Sequence, residues 1–116
     1  MGIAMDYKLS QDRGRLLENL VVLEMIKMGK QVNFAKNGSE CDVMIVDKGR
    51  VVQAIQVSEN IDDPETRKRE VKGLVNTCLE HELKKGFIVT IDTEEEFVEQ
   101  GLKVVIVPAW KFLMER

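Results

Sequence analysis

The apolar positions in the first third of the chain repeat with the period of an α-helix. Leu16, Leu20 and Leu23 are spaced by four and three residues, and the apolar series continues to Ile26. This spacing places the side chains on one stripe, which we expect to pack against the protein core. A glycine follows the series and favours the end of the helix, so the pattern predicts a helix over residues 11–28.

A second helix is predicted from the segment "NIDDPETRKRE", residues 60–70. Asp62 or Asp63 is suited to cap this helix, and Pro64 is suited to its first turn, where a missing N–H group costs little. Gly86 is expected to follow its end. The apolar stripe of the second helix consists of Leu74, Val75, Cys78, Leu79 and Leu83.

Shorter apolar segments outside these helices predict strands. "VMIV" and "VVQAIQV" flank the turn "DKGR" and predict a β-hairpin, with strands near residues 41–47 and 51–58. "QVNFAK" alternates as a strand does, and "FIVTI" is a continuous apolar run typical of a strand buried on both faces. "KVVIVP" is predicted as the last strand and "AWKFLM" as a short closing helix. The acidic stretch before the last strand is predicted to be a solvated loop.

The predicted order, α-β-β-β-α-β-β-α, indicates an α/β fold with a mixed central sheet flanked by helices. A length of 116 residues suits one domain, which we place at residues 11–116 after a lead-in at residues 1–10. We expect neither a membrane-spanning segment nor a signal peptide. Cys41 and Cys78 have no CxxC spacing, so we expect buried, reduced thiols and a cytoplasmic protein.

The charge of the chain is unevenly distributed around a net value of −3. Residues 1–58 carry eight Lys and Arg against seven Asp and Glu, whereas residues 59–116 carry nine against thirteen. The net negative charge argues against nucleic-acid binding through the overall charge of the protein. The composition does not exclude a basic face on one part of the surface. Five of the acids lie in one short stretch: Asp92, Glu94, Glu95, Glu96 and Glu99.

Three polar residues in otherwise apolar elements form the candidate site. Glu18 lies at the boundary of the first apolar stripe, Asp42 begins the second strand, and Gln56 is near the end of the third. Across the hairpin, Asp42 and Gln56 are expected to be cross-strand neighbours. Two hard oxygen ligands suit Mg²⁺, which keeps several waters, and Glu18 would reach the ion through one of them. The metal would then lower the pKa of an attacking water and offset charge on a phosphate.

The segments "GRLLENLVVLEMIKMGKQV" and "AIQVS", together with Asp42, resemble the PD-(D/E)XK nuclease superfamily, above all archaeal Holliday junction resolvases and Mrr-like endonucleases. This resemblance implies a restriction-endonuclease-like core and a site at Glu18, Asp42 and Gln56, with the family lysine replaced by Ser58. Over nearly the whole chain, "ECDVMIV", "IQVSENIDDPETRKREVKGL" and "VVIVPAWKFL" are similar to the C-terminal domain of archaeal P-loop ATPases of the AAA+ type. That similarity implies an ATPase domain outside this chain as a partner, with residues 1–10 at a domain edge.

Ser58 is the position that decides between cleavage and contact. In the nuclease family a lysine here activates the attacking water, and a neutral hydroxyl cannot replace its charge. We therefore favour an accessory domain with a degenerate site, in which Mg²⁺ is weak or absent, that contacts DNA or protein; Gln56 would then have a structural hydrogen bond. The alternatives are an active Mg²⁺-dependent DNA endonuclease, and a dimerisation or docking module that uses Trp110 and Phe112.

The start of the second helix carries candidate phosphate contacts. Arg67, Lys68 and Arg69 lie where the helix dipole favours anions. They alternate with Glu65 and Glu70, so a solvated and salt-bridged helix face is the other interpretation.

Overall fold

The chain folds as a six-stranded mixed sheet with helices on both faces, which confirms the predicted α/β class. A computed structural model describes the backbone of residues 3–34 and 43–114 and the side chains of residues 13–33 and 43–114. The elements in chain order are α1 (Ile3–Lys27), β1 (Gln31–Phe34), β2 (Val43–Asp47), β3 (Arg50–Val57), α2 (Pro64–Glu80), β4 (Lys85–Thr90), β5 (Glu95–Glu99), β6 (Leu102–Pro108) and α3 (Ala109–Met114).

The strands lie in the order β1-β2-β3-β4-β6-β5. β1, β2 and β3 pair antiparallel, β3, β4 and β6 pair parallel, and β5 adds an antiparallel edge to β6. The parallel step from β3 to β4 requires a crossover, which α2 supplies. The three parallel strands run in the same direction, so their carboxyl ends lie at the same end of the sheet. We call this the carboxyl end of the sheet, and Ser58 and Thr90 lie there.

Two apolar clusters hold the helices on the sheet. α1 and α3 form one layer, called the α1 layer, and α2 forms the other, called the α2 layer. The core under the α1 layer includes Val21, Met25, Ile55, Val57, Val89 and Phe112. The core under the α2 layer includes Ala54, Leu74, Val75, Cys78, Ile88, Val104 and Ile106.

α1 buries a different stripe from the one that we predicted. Val21 and Met25 face the sheet and are almost fully buried. Both this stripe and the predicted one have helical spacing, so periodicity alone did not decide which of them faces the core. The predicted stripe, called here the outer stripe, is 44–57% exposed and consists of Leu16, Leu20, Leu23 and Ile26.

α1 begins at Ile3, eight residues before its predicted start. The first ten residues lack an apolar period, but the alanine, methionine, lysine and leucine among them are good helix formers. The predicted end is confirmed: Gly29 has a φ of 81°, which favours glycine, and its N–H donates to the Ile26 carbonyl over 2.9 Å. Of the helices in the described ranges, none combines the length and apolar character needed to cross a bilayer.

The acidic stretch contains an edge strand, so our prediction of a solvated loop was wrong. β5 pairs with β6, and Phe97 packs against the core of the α2 layer. Cations from other elements offset the negative charge that led us to expect a loop. These pairs are Arg67 with Glu95, Lys103 with Glu96, and Lys111 with Glu94.

Candidate functional site

Gln56 is buried in β3 and faces the α2 layer. Side chains alternate along a strand, and its neighbours Ile55 and Val57 belong to the core under α1. Gln56 is only 2% exposed, and its Nε2 donates to the backbone carbonyl of Glu70 in α2 over 3.3 Å. The amide therefore ties the central strand to α2, which matches the structural interpretation left open by the sequence.

Ser58 follows β3 at the carboxyl end of the sheet and is 5% exposed. Its N–H donates to the Val89 carbonyl over 3.0 Å, and its Oγ accepts from the N–H of Asn60 over 3.4 Å. The first bond continues the pairing of β3 with β4, and the second stabilises the turn that leads toward α2. Ser58 thus provides a buried and neutral hydroxyl at this end of the sheet.

Glu18 lies on the inner side of α1. It is four residues after Gly14 and three before Val21, so the three residues share one side of the helix. Glu18 is half-buried, whereas Val21 is fully buried in the core under α1. The described structure therefore places Glu18 and Gln56 in layers on opposite faces of the sheet.

Glu59 is a carboxylate at this end of the sheet that sequence reasoning missed. Its Oε2 lies 3.7 Å from Nε of Arg13, and a Cβ added to Gly14 would lie 3.8 Å from its side chain. The signal was available in the sequence, because Glu59 continues the alternating series of Ile55 and Val57 that faces α1. α1 and the end of β3 thus meet at an ion pair between Arg13 and Glu59.

Asp42 and Cys41 lie outside the described residues. The described pairing of β2 and β3 reaches Val43 and Ile55, so the predicted pairing of Asp42 with Gln56 stays a prediction. Among the side chains of residues 13–33 and 43–114, no three His, Cys, Asp or Glu come together as a possible metal site. Glu18 and Gln56 alone do not suit Mg²⁺, since they lie on opposite faces of the sheet. A magnesium site here would depend on Asp42.

Arg67 is engaged with an acid of β5. Its Nη1 donates to Oε1 of Glu95 over 3.1 Å, and its Nη2 donates to the second carboxylate oxygen. The guanidinium also lies 5.4 Å from the ring centre of Phe97. The paired hydrogen bonds raise the pKa of Arg67 and lower that of Glu95. A phosphate would have to displace Glu95 to bind Arg67.

The other basic residues of α2 are more accessible. Lys68 and Lys72 line an open groove of about 560 Å³ between α2 and β5. Arg69 is exposed near the start of the helix, where Asp63 is the N-cap. The pKa of Asp63 is lowered by hydrogen bonds from Thr66 and also by the charge of Arg69. Lys68 and Arg69 are thus accessible, and their role as phosphate contacts stays a prediction. This role does not involve Gln56.

Cys78 confirms the prediction of a buried thiol. Its Sγ donates to the Lys85 carbonyl over 3.7 Å in the core of the α2 layer. Burial raises the pKa of the thiol to about 11, so very little thiolate is present near neutral pH.

Several large apolar side chains of the α1 layer are exposed. The outer stripe lies along α1, and α3 contacts α1 on the same face of the sheet. On α3, Trp110 is 62% exposed and Met114 is 76% exposed. Phe112 is instead buried, with its ring 5.3 Å from that of Phe87 in an edge-on arrangement. Of the two aromatic residues predicted as docking anchors, only Trp110 is therefore accessible.

Comparisons of this chain with protein-family models, with curated proteins and with solved structures gave no match. The function proposed below therefore depends on the described residues and on the resemblance seen in the sequence.

Proposed function

We propose that this chain is a non-cleaving assembly domain, on an α/β scaffold of the restriction-endonuclease type, in which the outer stripe of α1 joins two copies. The observation that carries the proposal is the exposure of the outer stripe. Four large aliphatic side chains at helical spacing, each about half exposed, form a continuous apolar row on the described surface of α1. Apolar rows of this kind on soluble domains mark contact surfaces.

The expected gain from burying this row is substantial. Covering the exposed parts of four such side chains would stabilise association by roughly 3–6 kcal/mol per copy, before the entropy cost of binding. A stable interface covers about 800 Å² on each partner, more than the outer stripe alone provides. Trp110 and Met114 are exposed on α3 in the same layer, and we expect them to supply part of the remainder.

The charges along α1 favour an antiparallel arrangement of the two helices. Arg15 lies toward the amino end of the side chains described in α1, whereas Glu24 and Lys27 form an ion pair of 3.2 Å in its last turns. Parallel pairing would bring the arginines of both copies together, while antiparallel pairing separates them. A two-fold axis near Leu20 then gives the isologous contact that is usual for dimers.

Gln56 and Ser58 support the proposal that this domain does not cleave DNA. The Gln56 amide is used in a bond to α2, and Ser58 is buried without a positive charge. The lysines of α2 do not compensate, since Lys68 and Lys72 line the groove toward β5. Cleavage by a metal bound at Asp42 is the competing function.

Three further parts of the proposal come from the sequence. Similarity to the C-terminal domains of archaeal ATPases supports an ATPase domain of the parent protein as an additional partner. Lys68 and Arg69 support a weak contact with DNA, which should diminish steeply as salt rises. The buried free thiol of Cys78 supports a cytoplasmic location.

Sedimentation velocity over a range of protein concentrations tests the assembly role. Leu20→Glu places a charge in the outer stripe, and Leu79→Glu is the matched control, because Leu79 is a 49% exposed leucine on α2. We expect dimers of the unchanged protein and of Leu79→Glu at micromolar concentration, and monomers of Leu20→Glu. Monomers of the unchanged protein at every concentration would contradict self-association, as would equal behaviour of the two variants.

A cleavage assay tests the competing nuclease function separately. Branched and linear DNA would be incubated with the protein and Mg²⁺ or Mn²⁺, with Asp42→Ala as the comparison. We expect no cleavage by either protein and no metal binding by calorimetry. Cleavage that disappears in Asp42→Ala would show a working nuclease in which another group replaces the missing lysine.

A further inference from the structure

The α1 layer leaves part of its sheet face uncovered. α1 contacts β1 and β3, while α3 has six residues and contacts β4 and β6. Between the end of α1 and α3, toward the start of the parallel strands, a cleft of about 400 Å³ remains. This volume is within the range of small-molecule sites.

The floor of the cleft is apolar and partly aromatic. Phe87 is a cross-strand neighbour of both Ile55 and Val105, so a flat row of apolar side chains crosses three parallel strands. Phe87 and Val105 are only partly buried, which leaves apolar surface open to the cleft. Met25 of α1 and Phe112 of α3 complete its walls.

The rim of the cleft carries a positive charge that the described side chains do not balance. Lys30 and Lys85 line the cleft, and neither belongs to an ion pair with residues 13–33 or 43–114. The Nζ of Lys85 lies 5.3 Å from the ring centre of Phe87. Glu96 also lines the cleft, but its carboxylate is 3.4 Å from the Nζ of Lys103. Two ammonium groups thus remain beside an apolar floor.

We infer that this cleft binds a small aromatic carboxylate. The ring lies against Phe87 and Val105, where apolar surface is open, and the carboxylate accepts hydrogen bonds from Lys30 and Lys85. Gln53 also lines the cleft and supplies an amide donor for orientation. The site is separate from Gln56 and Ser58, and it requires neither cleavage nor self-association.

Methyl NMR of protein with ¹³C-labelled methionine methyl groups tests this site. The probe is 2-naphthoate, with the neutral alcohol 2-naphthalenemethanol as its matched control. We expect saturable shifts of the methyl signals of Met25 and Met28, which line the cleft, and no shift at Met44 in β2. Lys85→Met keeps the aliphatic chain over Phe87 and should weaken naphthoate binding at least about threefold, as expected for the loss of one accessible ion pair.

Matched variants and the neutral probe separate a charged site from simple apolar contact. Lys30→Met should weaken naphthoate binding as Lys85→Met does, whereas Lys72→Met on α2 should leave it unchanged. The alcohol should bind more weakly than naphthoate and show no dependence on either lysine. Shifts that do not saturate, equal affinity for the two probes, or equal effects of Lys85→Met and Lys72→Met would each overturn the assignment.

Discussion

The two helical layers cover the same sheet in different ways. In the α2 layer, Gly86 lets α2 approach β4 closely, and Gln56 bonds to the α2 backbone. In the α1 layer, a cleft remains beside α3 and the outer stripe of α1 is exposed. α2 is therefore closely packed on β3 and β4, although an open groove remains between α2 and β5, whereas the α1 layer keeps a row of apolar side chains exposed along its helix.

The difference begins in the helix sequences. α2 has one apolar stripe, and Leu79 is its single large apolar residue with high exposure. α1 has two stripes and can bury only one of them against the sheet. An exposed second stripe lowers the solubility of the protein unless a partner covers it. Association therefore explains its presence better than folding does.

Closer packing in the α2 layer predicts the largest mutational effect. A Cβ at Gly86 would lie 2.8 Å from Leu74 and 2.9 Å from the Sγ of Cys78. We expect Gly86→Ala to lower the free energy of unfolding by roughly 2–3 kcal/mol, since the core must shift to accept it. In the α1 layer, Gly14→Ala should instead raise it by about 0.5–1 kcal/mol through helix propensity. Urea unfolding of both variants measures this contrast, and two equal losses would contradict it.

Gln56→Met should have the next largest effect. The change keeps the side-chain length but removes the hydrogen bond to Glu70, so we expect a loss of about 1–3 kcal/mol. Gln53→Met is the matched control in the same strand, where the partly exposed side chain should allow a change below about 0.5 kcal/mol. Denaturant unfolding of the two variants gives the comparison. If Gln56→Met and the unchanged protein were equally stable, the structural role assigned to Gln56 would be contradicted.

The ion pair of Arg67 and Glu95 predicts a smaller effect that depends on pH. The pKa of Glu95 is lowered in the folded state, so its contribution is present above the unfolded pKa and is lost as pH falls through the folded pKa. Because both side chains are partly exposed, we expect Glu95→Gln to cost less than about 1 kcal/mol at pH 7. Thermal unfolding at pH 7 and in acid measures the difference. The cost should disappear in acid, and an unchanged cost there would contradict this origin.

The smallest expected effect on stability is that of Leu20→Glu. Because Leu20 lies on the outer stripe, its replacement should change the free energy of unfolding of the monomer by less than about 0.5 kcal/mol. Chemical unfolding at a concentration too low for dimers isolates this quantity. A loss of several kcal/mol would mean that the outer stripe supports the monomer fold, and the two layers would then differ less than proposed.

Local signals predicted much of the fold. The start of α2 at Asp63 and Pro64 could be predicted because helix capping depends only on neighbouring residues. The hairpin turn at Gly49 could be predicted because turn formation is also local. The edge strand β5 was missed since the cations that offset its acids, such as Arg67 and Lys103, come from other elements.

The buried stripe of α1 and the environment of Gln56 required tertiary information. Val21 and Leu20 belong to two different apolar stripes of α1, and both stripes have helical spacing. Only the position of the sheet decides which stripe is covered. The positions of Gln56 and Ser58 near the end of β3 were predicted, but their bonding depends on Glu70 and Val89 in distant parts of the chain.

Disulfide trapping at Leu20 would test the assembly role most directly. In a Cys41→Ser background, the remaining native thiol of Cys78 is buried and its raised pKa makes it a poor competitor. Under mild oxidation, antiparallel pairing predicts that Leu20→Cys forms a covalent dimer rapidly, while Leu79→Cys on α2 stays mostly monomeric. Equal dimer formation at the two positions, or none at Leu20→Cys, would contradict the proposal that the outer stripe joins two copies.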